Sequence, residues 1–66
     1  MIDSPDKLDK WMKKHKVTRA KLPTIIIDPW FNEPLYCERT YYRILKGEPV
    51  KYDKWLAIDY FLGKYK

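Results

Sequence analysis

Apolar positions recur with helical spacing in three stretches of the chain. Leu8, Trp11, Met12 and His15 follow at i, i+3, i+4 and i+7, which predicts one stripe on a helix of about three turns. Lys7, Lys10, Lys13, Lys14 and Lys16 fill the other faces. Ser4-Pro5-Asp6 marks the start. Ser4 accepts as N-cap, Pro5 sits at N1 where its missing N–H costs nothing, and Asp6 faces the positive end of the helix dipole. In the second stretch Tyr41, Ile44 and Leu45 share one side, with Glu38, Arg39, Tyr42, Arg43 and Lys46 on the others. This predicts a helix over 35–46, closed by Gly47 in the left-handed region and followed by Pro49. In the third, Tyr52, Trp55, Leu56, Ile58 and Leu62 predict a helix from near Tyr52 to Gly63, ahead of a basic tail of Lys64, Tyr65 and Lys66.

Between these stretches the pattern breaks. Thr18 is placed to cap a helix through Arg19, Ala20, Lys21 and Leu22, and Pro23 either kinks that helix or ends it one turn in. Thr24 to Ile27 is β-branched and reads as extended. Asp28-Pro29 opens a turn or a short helix, and Asn32-Glu33-Pro34 is another cap-like start. The expectation is an all-α fold: one domain over 1–66, four or five short helices, and an irregular Pro/aromatic segment at 23–34.

Composition narrows the function classes. The chain has 66 residues, 45% hydrophobic and 17% aromatic, which suits one small folded domain. Fourteen Lys and Arg against nine Asp and Glu give a net charge of +5, and this makes a polyanion such as nucleic acid the expected partner. One cysteine excludes an intrachain disulfide, and one histidine with one cysteine excludes a zinc site of the usual kind. Two glycines leave no phosphate-cradling loop. The longest apolar run is Ile25–Ile27 and the N-terminus is acidic, so the reading is a cytoplasmic protein without membrane span or signal peptide. Cys37 is the sole candidate nucleophile, and Asp28, Glu33, Asp53 and Asp59 show no paired-carboxylate spacing. The expectation is therefore a protein with no enzymatic activity, metal, cofactor or small-molecule substrate.

Cys37-Glu38-Arg39-Thr40-Tyr41-Tyr42-Arg43-Ile44-Leu45-Lys46-Gly47 resembles the recognition helix of Cro/CI-like (lambda-repressor-like) helix-turn-helix proteins. There a polar cap is followed by Thr, an apolar residue, a contact residue, Arg, an apolar residue and a closing Gly. Tyr52-x-x-Trp55-Leu56-x-Ile58-x-x-x-Leu62-Gly63 is similar to the family's following helix, and Val17-Thr18-Arg19-x-x-Leu22 falls where the family has Leu-Ser-Gln-x-x-Leu. Leu22 and Thr40 stand 18 positions apart, against about ten in the family, and the Gly-containing turn is missing.

The resemblance implies a small sequence-specific transcriptional regulator of the phage or mobile-element type, binding double-stranded DNA as a dimer with helix 35–46 in the major groove. By family position Glu38, Arg39 and Tyr42 reach bases. Arg43 reaches a base or makes an ion pair inside the fold. Arg matches guanine O6 and N7 bidentately, and Glu accepts from cytosine N4. Lys13, Lys14, Lys16, Thr18, Arg19, Lys46 and Lys51 are the phosphate candidates. Trp30 and Phe31 either complete the core or form a partner or dimer surface. Two other readings stand beside this one. One is an interaction protein that modulates a host protein through residues 25–35; the other is an excision or architectural factor that bends DNA.

Overall fold

A computed structural model describes residues 1–65. Lys66, the last residue of the basic tail, lies outside them. Helix α1 spans Pro5–His15; Ser4 caps it, its Oγ accepting the Lys7 N–H at 3.3 Å. A 3-10 turn at Arg19–Lys21 leads directly into α2, Leu22–Ile25. Strands β1, Ile27–Asp28, and β2, Glu33–Pro34, form an antiparallel pair with Ile27 opposite Pro34 and Asp28 opposite Glu33. Helix α3 is Glu38–Leu45 and α4 is Tyr52–Gly63.

The fold is mostly helical, as expected, but not purely all-α, because the segment at 23–34 carries the end of α2 and a two-strand hairpin. Pro23 neither kinks nor ends a helix. It occupies the first turn of α2, where the missing N–H is free of cost. Of the β-branched run expected to be extended, Thr24 and Ile25 are helical and only Ile27 lies in a strand; the Ile26 N–H still reaches the Leu22 carbonyl at 3.0 Å, while the Ile26 carbonyl accepts from Leu35 N–H at 3.1 Å. Asp28 turns the chain, its Oδ1 accepting the Trp30 N–H at 2.8 Å and its carbonyl accepting the Asn32 N–H at 2.8 Å. Asn32 supplies the left-handed residue, φ 55°, that a loop of this length uses. Asn32-Glu33-Pro34 is therefore the return arm of a hairpin and not a helix start. The 35–46 helix is also shorter than expected. Leu35 and Tyr36 stay outside it, and Cys37 is its extended N-cap.

One core joins the helices. Leu8, Met12, Val17, Leu22, Ile26, Tyr41, Ile44, Trp55, Ile58 and Leu62 are buried together. Helix α3 lies against α1, the 3-10 turn and α2, and α2 lies against β2. The Ile2 N–H donates to Asp59 Oδ1 at 2.8 Å and ties the first residues to α4. Tyr52 and Leu56, expected on the buried stripe of α4, are 64% and 45% exposed. Trp55, Ile58 and Leu62 alone fit the i, i+3, i+7 face, and Tyr52 is displaced to the first turn, at its edge.

Helix α3 ends as its glycine foretells. Gly47 has φ 98°, its N–H reaches the Ile44 carbonyl at 3.0 Å, and the Glu48 N–H reaches the Arg43 carbonyl at 3.2 Å. Helix α1 closes on the same pattern, with Val17 N–H to the Met12 carbonyl at 2.9 Å. There the left-handed residue is Lys16, φ 55°.

Tyr41 is fully buried, and its hydroxyl has no hydrogen-bond partner among the described residues. Burial raises its pKa far above the ordinary 10.0, reinforced by charge on Tyr36 and Cys37. A raised folded-state pKa means that the stability from keeping Tyr41 neutral is complete below about pH 10 and is lost as pH climbs past the unfolded value. Tyr41→Phe removes the orphaned hydroxyl. It is expected to raise stability by about 1 kcal/mol at neutral pH and to blunt the fall above about pH 10, measured by urea unfolding across a pH series.

Candidate nucleic-acid interface

Burial of Tyr41 and Ile44 fixes the rotation of α3 and turns Glu38, Arg39, Tyr42 and Lys46 outward. The 3-10 turn packed against α3 brings Arg19 to the same face. Arg19 Nε lies 3.4 Å from Glu38 Oε1, and its guanidinium carbon sits 4.8 Å from the Tyr42 ring centre. Lys46 Nζ approaches the same ring at 5.3 Å. A shallow groove of about 280 Å³ runs between Arg19, Glu38, Arg39 and Tyr42.

Its electrostatics follow from those pairings. Glu38 is offset by Arg19, whereas Arg39 enters no ion pair among the described residues. The face therefore keeps a free guanidinium fork at Arg39 and the Lys46 ammonium. Tyr42 is half exposed between them as a flat ring with a hydroxyl. Such a surface attracts anions, and its donors suit phosphate oxygens or the acceptor edge of a base.

Comparison with protein families, characterised proteins and solved structures finds no match to this chain.

The remaining site candidates lie outside this groove. Arg43 lines a second groove, about 390 Å³, with Thr40, Glu48, Lys51 and Lys54 among its walls. Its Nε lies 3.7 Å from Glu48 Oε2, with both side chains more than half exposed, so the ion pair foreseen for Arg43 forms on the surface and not inside the fold. Lys51 is the N-cap residue of α4. Lys13 Nζ is 3.0 Å from Asp9 Oδ2 on α1, and Lys14 follows it on the last turn. Lys16 and Thr18 lie in the connection leading to Arg19. Thr18 makes no side-chain cap bond to the 3-10 turn, and its exposed hydroxyl is left without that duty. Trp30 and Phe31 stand at the tip of the hairpin. They do not complete the core.

Lys54 was missed in the sequence. It shares the second groove with Arg43 and Lys51, and its Nζ lies 5.4 Å from the Tyr36 ring centre. Its position three residues after Lys51 at the start of a helix was the available signal. Cys37 makes a 3.6 Å contact between Sγ and Thr40 Oγ1, and this hydrogen bond, with backbone N–H groups at the start of α3, holds the thiol pKa below its ordinary value. Among the described residues no group of His, Cys, Asp and Glu is set to hold a metal, and no helix is long and apolar enough to cross a membrane.

Proposed function

We propose that the protein is a small sequence-specific DNA-binding regulator that presents the outer face of α3 to the major groove. The observation that carries this reading is the convergence of Arg19, Arg39, Tyr42 and Lys46 on one exposed face. These residues come from two separate elements and were singled out by their positions in a helix-turn-helix-like pattern. Arg39 and Tyr42 are the base-reading side chains, with Glu38 beside them. Arg19, Lys46, Lys16 and Thr18 hold phosphates along one edge, and Arg43, Lys51 and Lys54 along the other. Lys13 and Lys14 add to the field from α1. The unusual spacing between Leu22 and Thr40 has a local explanation, since the excess length is taken up by the hairpin at Ile27–Pro34. In this reading the hairpin takes the place of the tight turn of the helix-turn-helix pattern; α2 and α3 are in contact.

Fluorescence anisotropy on labelled duplexes tests the reading, with DNA from upstream of its own gene set against a random pool. Upstream DNA is expected to bind roughly a thousandfold more tightly at physiological salt. Affinity should fall steeply as salt rises, with a log–log slope set by the number of phosphates neutralised. Equal, weak binding of both duplexes that vanishes together with salt overturns it.

A further inference from the structure

Trp30 and Phe31, at 90% and 75% exposure, are the two most exposed large apolar side chains among the described residues. The loop that carries them is held by the two Asp28 hydrogen bonds and by the left-handed Asn32, so the aromatic tip is presented ready-formed and little order is lost on docking. The segment that carries it is acidic. Residues 22–38 contain no Lys or Arg, and Asp28 and Glu33 flank the tip in paired strand positions. That charge disfavours phosphate-bearing surfaces, whether nucleic acid or anionic lipid.

A surface of the opposite character lies where α1 meets the end of α4. An open groove of about 410 Å³ has Ile2, Trp11 and Gly63 in its walls and Lys7 and Lys10 among its lining residues. Lys7 is engaged by Asp3 at 2.8 Å, and Asp59 by the Ile2 N–H, but Lys10 enters no ion pair among the described residues. The molecule therefore carries an aromatic plug flanked by Asp28 and Glu33, and a mainly apolar groove with the unpaired ammonium of Lys10 at its rim.

We infer that the occupant of this groove is the hairpin tip of a second copy of the chain. The two copies form a two-fold dimer, each seating Trp30 and Phe31 against Trp11 of the other, with Glu33 facing Lys10. Large aromatics bury roughly 150–250 Å² each. Two tips exchanged reciprocally bring about 600–1,000 Å² of aromatic surface into the contact, which is the range of a weak, reversible interface. A two-fold pair also supplies two α3 faces for a pseudo-palindromic site. The self-association itself needs no DNA.

Sedimentation velocity from about 1 to 500 µM tests this. The native chain is expected to shift from monomer to dimer in the micromolar range. Trp30→Ala with Phe31→Ala should raise the dimer dissociation constant at least a hundredfold. Glu33→Lys and Lys10→Glu should each weaken the dimer about tenfold, and the two together should restore it to within about threefold of native. All four side chains are exposed, and circular dichroism verifies the fold of each variant. A native chain monomeric throughout overturns the inference, as does a dimer indifferent to the tip variant or a charge swap without rescue. Protection of Trp30 from quenching by duplex DNA or anionic vesicles, with no dimer, overturns it in favour of those partners. The two functional readings separate cleanly: Arg39→Glu leaves the dimer intact, and the tip variant keeps its affinity for a single half-site.

Discussion

Arg39→Glu is expected to lower affinity for cognate duplex by roughly a hundredfold at physiological salt. Three effects combine. A bidentate arginine–guanine pair discriminates by about 1–3 kcal/mol. Its replacement also sets a carboxylate against the phosphate field, and it flattens the salt slope by about one unit or more. Finally, it places a second acid beside Glu38, whose charge already occupies Arg19. The fold should not notice, because Arg39 is exposed and makes no ion pair among the described residues. Lys64→Glu is the control. It changes the net charge equally, but Lys64 lies beyond α4, over the Tyr60 ring at 4.3 Å. Its expected loss is less than about fivefold, as befits a non-specific charge. Equal losses in the two variants, read by anisotropy on the same duplex, would mean that only total charge matters and that α3 is not the reading face.

Ile58→Ala should be strongly damaging to the core. Ile58 is fully buried in α4 among Leu8, Tyr41 and their neighbours, so truncation costs about 2–5 kcal/mol, part of it for the cavity left behind. A chain of this length is held by only about 3–10 kcal/mol in all. At roughly 4–8 °C per kcal/mol, the midpoint of thermal unfolding should fall by about 8–40 °C. Leu56→Ala, two residues away on the same helix but 45% exposed, should cost no more than about 0.5 kcal/mol. Thermal melts followed by far-ultraviolet circular dichroism check both. Comparable losses would mean that α4 does not pack through the Trp55–Ile58–Leu62 face.

The contrast between Ile58 and Leu56 also shows where the sequence could be read and where it could not. Periodicity located α1, α3 and α4, because each buries one face and its apolar residues repeat at the helical spacing. Caps fixed several ends: Ser4-Pro5 opens α1 and Gly47 closes α3. Tyr52 and Leu56 misled because α4 buries only the face of Trp55, Ile58 and Leu62, and the apolar residues beside it are left outside. The hairpin was hidden for another reason. Its strands are two residues each, too short for alternation to appear, and they depend on contacts across the turn such as Leu35 N–H to the Ile26 carbonyl. At the candidate site, the α3 face follows from the rotation that Tyr41 and Ile44 impose. Arg19 could not be placed there by spacing, since only the packing of the 3-10 turn on α3 brings it to Tyr42. Lys54 escaped because a lysine in the first turn of a helix reads as ordinary solvation.

Lys16 closes α1 in a conformation that glycine adopts freely and that costs a residue with a Cβ about 1 kcal/mol or more. A small protein rarely gives away so large a share of its margin at an exposed position. The backbone there favours glycine, whereas a lysine adds one cation to the basic surface. Position 16 is thus a point where a more stable backbone and a more basic surface call for different residues.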